Sequence, residues 1–212
     1  MFDRSSSVST IRRKPNQARS QERVNRILDV AEALFVSQGY AATTTNEIAK
    51  QAQVPIGSLY QFFSDKKAIV QALTVRYNQL LRERLALFST AELTKLPLST
   101  YVEQLIDTTT QFFNDYPGYY AIFMEVQGSV PEVQEVEDTA DAQLVADLAR
   151  SLVQRDASKD TVDYEIVTFV LVKAIGSLVW LSLGQEQAFQ QRLIVEAKRL
   201  ALSYLQSYFP SS

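Results

Sequence analysis

The stretch Thr43-Thr44-Thr45-Asn46-Glu47-Ile48-Ala49-Lys50-Gln51-Ala52-Gln53-Val54-Pro55-Ile56-Gly57-Ser58-Leu59-Tyr60-Gln61-Phe62-Phe63-Ser64-Asp65-Lys66-Lys67 decides the fold. Thr44 with Glu47 three residues later is a capping box, so a helix starts here and carries Ile48, Ala49 and Ala52 along one face. It can run only to about Gln51 or Ala52. Gln53-Val54 then makes a turn, and Pro55 fits the first position of a new helix that reaches Phe62 or Phe63. Ser64 can cap a longer helix running from Asp65 to about Phe88. Two short helices in a tight turn between longer ones have the layout of a helix-turn-helix. The second helix of such a unit fits the major groove of duplex DNA, about 12 Å wide, while the first lies across the phosphate backbone. Ile48, Ala49, Ala52, Val54 and Leu59 can form the seam, leaving Ile56, Gly57, Ser58, Tyr60 and Gln61 on the other side.

Upstream, Val24, Ile27, Leu28, Ala31, Leu34 and Phe35 recur at three- and four-residue steps from Ser20 to Gln38, and Gly39 supplies a left-handed C-terminal cap. Residues 1–18, rich in Ser and Arg, read as a disordered basic arm whose Arg12, Arg13 and Lys14, followed by Arg19, either reach phosphates or an adjacent minor groove or form a merely solvated tail. Downstream, helices are expected at about Leu98–Asp115, Pro117–Val126, Pro131–Arg155, Thr161–Leu183 and Gln185–Tyr208. No stretch alternates with period two for long enough to form a strand. The expectation is an all-α chain of about nine helices: the arm, a helix-turn-helix domain over 19–66, and a second helical domain over 67–212.

Composition excludes most other chemistry. The 212 residues include no Cys, hence no thiolate nucleophile, disulfide or cysteine metal site, and no His, hence no imidazole base and no His-ligated metal. Six Gly leave no phosphate-cradling run. No metal and no cofactor are expected. The net charge of −3 hides an asymmetry: residues 1–90 carry a net +6 and residues 91–212 a net −9, as if one segment faced a polyanion and another something else. The start lacks the apolar run of a signal peptide, which points to the cytoplasm. Ile166 to Leu183 approaches spanning length but carries Lys173 near its middle, so it is read as a buried helix, with no membrane partner.

Ala33-Leu34-Phe35, Gly39-Tyr40, Thr43-Thr44, Ile48-Ala49, Ala52, Val54, Gly57-Ser58-Leu59-Tyr60, Phe63 and Lys66 resemble, in order and spacing, the N-terminal signature of the TetR family of bacterial transcriptional repressors. The resemblance covers roughly residues 19–75. It implies that Thr44 hydrogen-bonds a phosphate at the start of the second helix, with Thr45 beside it. Tyr60 and Lys66 resemble the family's phosphate contacts. Ser58 and Gln61 would meet base edges, Ile56 a thymine methyl, and Gly57 would allow close approach. The sequence departs from the family at Gln53, where Gly is frequent, at Pro55, where Ser usually caps the recognition helix, and at Phe62, where His or Tyr often lies.

For the second half the resemblance implies a pocket for a small-molecule effector, not yet identified. Phe112, Phe113, Tyr116, Tyr119, Tyr120, Phe123 and Met124 lie on two successive helices, and Phe169 and Trp180 on a later one; aromatic walls of this kind line apolar pockets, although such stripes are more often core. Lys173 in an apolar helix needs Asp107, Asp115, Glu125 or a ligand carboxylate as partner, or else reaches solvent along its stem. The last two helices are too apolar for one small core, which implies a homodimer through them and a near-palindromic operator of double-stranded DNA. The function read here is a ligand-responsive DNA-binding regulator. Two alternatives remain: a helical dimeric interaction module that has lost DNA binding, and an all-α enzyme using carboxylates around Glu125 or Asp107.

Overall fold

The computed structural model describes residues 18–90, 92–126, 128–155 and 162–209; the expected arm lies outside them except for Ala18. The described residues form nine α-helices: α1 (Ala18–Gln38), α2 (Thr45–Gln51), α3 (Ile56–Phe62), α4 (Lys66–Leu85), α5 (Leu98–Asp115), α6 (Pro117–Val126), α7 (Pro131–Arg155), α8 (Tyr164–Ser182) and α9 (Gln187–Gln206). No strand occurs among them. Two short 3-10 turns, Ala86–Ser89 and Leu93–Lys95, separate α4 from α5. The all-α reading therefore holds, with small shifts at helix ends. Asp65, not Ser64, caps α4, its Oδ1 accepting from the Ala68 amide at 2.9 Å. Pro55 is the N-cap of α3 and not its first residue. α4 tightens into a 3-10 turn after Leu85, which turns Phe88 into the core.

The chain forms two compact units, divided differently from the boundary expected at residue 66. Among the described residues, the first takes those from 18 to 78 together with those from 117 to 137; the second takes those from 79 to 116 and from 138 to 209. In the first, the α1 stripe from Val24 to Phe35 is buried as its spacing requires, against α2 and, from the middle of the chain, α6. Gly118 lets α6 come in close: a Cβ there would stand 2.9 Å from both Glu32 Oε1 and Tyr77 Oη. Tyr119 stacks on Tyr77 with ring centroids 4.8 Å apart, and its phenol oxygen lies 2.9 Å from Asn78 Oδ1 and 2.7 Å from Glu137 Oε1. Arg76 reaches both Asp29 and Glu32 of α1 at 2.5 Å. Burial, reinforced by Glu32, pushes the Tyr77 phenol well above its ordinary pKa.

In the second unit α8 packs along α9, and α5 against α9, around Leu98, Tyr101, Ile106, Leu152, Val167, Ala201 and Leu205. α8 corrects the expectation of a buried helix. It is long and apolar enough to cross a membrane, yet only 22% of that stretch is buried within one chain. Its inner stripe of Tyr164, Val167, Thr168, Val179 and Ser182 is covered, whereas Ile166, Phe169, Val170 and Leu181 are exposed, the last to 59%.

Candidate nucleic-acid interface

The α2–α3 pair is held from behind. Ile48, Ala49, Ala52, Val54 and Leu59 are all buried, as the seam requires, and each large apolar side chain among them contributes about 1.5–3 kcal/mol by burial. Phe62 and Phe63 are buried too. Phe62 is thus a core residue, which accounts for the absence of a hydrogen-bonding side chain at that position. The Thr44 hydroxyl caps α2 by accepting from the Glu47 amide at 3.2 Å. The other half of the expected capping box is redirected: the Glu47 carboxylate accepts from Gln38 Nε2 at 2.8 Å.

Gln53 in the turn has φ +54°, the left-handed region that glycine occupies without steric cost. Gln53 thus takes up, at some steric cost, a backbone conformation open to glycine. Pro55 offers no side-chain cap, and α3 is closed by its carbonyl, which accepts from the amides of Ser58 at 2.8 Å and Leu59 at 3.2 Å.

On the outer side, Ile56, Gly57, Tyr60 and Gln61 are exposed and Ser58 is half-buried. Ile56 and Tyr60, at 37% and 41% exposure, are large apolar side chains that the core leaves uncovered. Thr44 is exposed and Thr45 half-buried, with its hydroxyl 3.0 Å from Tyr60 Oη. Gly57 has no role in the packing: a Cβ built on it meets nothing within 4 Å, and its φ is not positive. A glycine inside an exposed helix costs about 1 kcal/mol relative to alanine, so the fold gains nothing from it.

Lys66 is placed differently from the expected phosphate contact. Its Nζ donates to the carbonyl oxygens of Tyr40 at 2.5 Å, Thr43 at 2.7 Å and Ala41 at 3.2 Å, and sits 4.3 Å from the Tyr40 ring centroid. Burial lowers its pKa, and the nearby Glu125 carboxylate opposes that shift. Glu125, on α6, accepts from the amides of Tyr40 at 2.7 Å and Ala41 at 3.1 Å. The Thr43 hydroxyl donates to the Gly39 carbonyl at 2.8 Å. The 39–43 turn thus has its amides held from one helix and its carbonyls from another. Sequence reading missed Glu125 as part of this site because nothing local to it signals a contact 85 residues away.

The residues expected to line one effector pocket are distributed between the units. Phe112, Phe113, Tyr116 and Trp180 belong to the second, where Phe113 meets Trp180 edge-on with centroids 5.6 Å apart and Phe112 is fully buried. Tyr120, Phe123 and Met124 belong to the first. Phe169 is half exposed on α8, and Lys173 pairs with Asp141 of α7, a partner not among those expected. Arg84, also missed, lies 5.4 Å and 5.3 Å from the Phe112 and Tyr116 ring centroids and binds Asp115 at 2.7 Å. Hydrogen bonds from Gln111 and Arg84 hold the Asp115 carboxyl below its ordinary pKa. No cluster of three or more acidic metal-ligand candidates occurs among the described residues.

Residues 27–73 match the family model for bacterial regulatory proteins of the tetR family, and residues 97–205 match that for the tetracyclin repressor-like C-terminal domain. An uncharacterized HTH-type transcriptional regulator of Bacillus subtilis, YvkB, is 43% identical over 53 residues, which are 25% of this chain and 28% of that protein. The alignment thus spans little more than a quarter of that relative. A second from the same organism, YhgD, is 26% identical over 165 residues, covering 76% of this chain and 84% of the relative. A TetR-family transcriptional regulator from Streptomyces coelicolor superposes with a TM-score of 0.63 at 26% identity, covering 89% of this chain and 98% of that one. With both of its helical regions matched, the chain belongs to the tetR family of bacterial regulatory proteins.

Proposed function

We propose that the protein is a cytoplasmic, dimeric, effector-responsive repressor that reads a near-palindromic operator through α3. The observation that carries this reading is the outer face of α3: Ile56, Gly57, Tyr60 and Gln61 stand exposed on a helix anchored by buried Leu59, Phe62 and Phe63, and Gly57 is of no use to the fold. Thr44, Thr45 and Tyr60 supply hydroxyls for the phosphates, Ser58 and Gln61 reach base edges, and Ile56 meets a thymine methyl. Lys66 acts indirectly by holding the turn that leads into α2. The enzyme alternative ends with the family assignment.

The exposed apolar side of α8, with Phe189, Val195 and Leu200 of α9, supports pairing of two chains through these helices. Gly176 is exposed, and a Cβ on it meets nothing within 4 Å, so it can admit a partner's backbone closely. Two copies of α3 would then enter successive major grooves about 34–36 Å apart. An apolar small molecule received near Phe113, Tyr116 and Trp180, with Arg84 beside them, would favour a conformer that fits DNA poorly, and by linkage DNA would weaken its binding.

Selection of bound fragments from genomic DNA, followed by anisotropy titration of the recovered duplex over a range of salt, tests the reading. The expected result is a shared inverted repeat bound by two chains, with log affinity falling linearly against log salt. Failure to retain any duplex at low ionic strength overturns it.

A further inference from the structure

We propose that Glu125, which lies outside the helix-turn-helix, is a positioning residue for DNA recognition; the proposal rests on the operator-binding function argued above. The 39–43 turn leads directly into Thr44 and Thr45, so the place where the first turn of α2 meets a phosphate depends on the position of this turn. Its backbone groups are held almost completely. The carbonyls of Tyr40, Ala41 and Thr43 accept from Lys66, that of Gly39 accepts from the Thr43 hydroxyl, and the amides of Tyr40 and Ala41 donate to Glu125.

Two donors on one carboxylate fix direction as well as distance, since each oxygen takes one amide, and bonds to an ionised acceptor are the stronger kind. The approach is close. Gly39 has φ +89°, and a Cβ there would stand 3.0 Å from Glu125 Oε1. The carboxylate is exposed, so water could replace it at both amides with little loss of stability. What water cannot replace is the register between α6 and the start of α2. Glu125 therefore contributes chiefly to the placement of the Thr44–Thr45 turn, and through the Thr45 hydroxyl to that of Tyr60.

This role has a sign that simple electrostatics lacks. Deleting a negative charge from a DNA-binding unit, if charge alone mattered, would tighten binding to a polyanion. A positioning role requires the reverse. The test is operator affinity by anisotropy for the full-length wild type, Glu125→Ala, Glu125→Asp and Glu22→Ala, the last removing an exposed carboxylate from α1 of the same unit. Glu125→Ala is expected to weaken binding about tenfold, the loss of a preorganised contact surface, with an unchanged salt slope because no phosphate contact is removed. Glu125→Asp should fall between, and Glu22→Ala should bind as well as wild type or better. Amide exchange in the wild type gives a measurement that requires no variant: Tyr40 and Ala41 should be protected. Unchanged or tighter binding by Glu125→Ala, or free exchange of those amides, overturns the proposal. A wild type that binds no duplex overturns the operator reading itself, whatever Glu125 does.

Discussion

The hydroxyl of Thr45, in the first turn of α2, stands 3.0 Å from the phenol oxygen of Tyr60 on α3. One bond between two hydroxyls uses one proton, so a second proton remains to be given outward, at a point fixed by two helices at once. Tyr60→Phe removes one of the two hydroxyls from an exposed position and should leave unfolding stability within about 0.5 kcal/mol of wild type. Affinity for specific and non-specific duplexes should fall together, about three- to tenfold. Anisotropy titrations against both kinds of duplex check it; undiminished binding would remove the phenol from the interface.

Gly57→Ala should move two quantities in opposite directions. Alanine is favoured in an exposed helix and its Cβ meets open space, so urea unfolding should show a gain of about 1 kcal/mol. Operator binding should weaken by at least about tenfold, because the added methyl holds α3 away from the base edges. A variant that gains stability and binds normally would mean that nothing approaches this residue.

Gln53 stands at φ +54° in the turn between α2 and α3. Gln53→Gly relieves a left-handed conformation costing about 1–2 kcal/mol but adds backbone freedom to the unfolded chain, so a net gain of about 0.5–1 kcal/mol is expected. Gln53→Val, β-branched at a positive φ, should destabilise. Thermal unfolding of the two variants should bracket wild type.

Leu181→Glu places a charge on the exposed apolar side of α8, where it disturbs no packing within one chain. Sedimentation equilibrium should show the dimer shifted toward monomer, and operator binding should lose its dependence on paired half-sites. A variant that remains dimeric would place the pairing surface elsewhere.

Tyr204 on α9 has its pKa raised to about 12, first by its hydrogen bond with Tyr208 and then by burial. The folded state favours the neutral phenol, so the stability it contributes is complete below pH 10 and is lost as pH rises from 10 through about 12. Urea midpoints measured across that window should fall less steeply for Tyr204→Phe than for wild type.

Periodicity made α1 to α3 and their buried seam legible, because amphipathic spacing and an N-cap are local signals. The outer residues of α3 followed by elimination once Leu59 was assigned inward. Lys66 and Glu125 were different. Their partners are main-chain groups of a turn, and such contacts leave no trace in side-chain pattern. The aromatic residues from Phe112 to Met124 are divided between the units for a related reason. Their helices are consecutive in sequence, yet the Tyr116–Pro117 junction sends α5 and α6 into separate units. Hydropathy likewise identified α8 as apolar without revealing that one chain covers only its inner stripe.

Because α6 arrives from residues 117–126 to complete the packing around α1, the order of synthesis matters. Domains commonly fold as they leave the ribosome, N-terminal portion first. Here the nascent chain emerges with its recognition helix translated early but without the partner that covers α1. Until residue 126 has been made the first unit is short of Ile122 and Val126, and until residue 137 it lacks Glu137, one of the two oxygens beside the Tyr119 phenol. A ribosome-bound intermediate truncated after α4 should therefore stay open to protease, and the capacity to engage DNA should mature only once residue 137 has been translated.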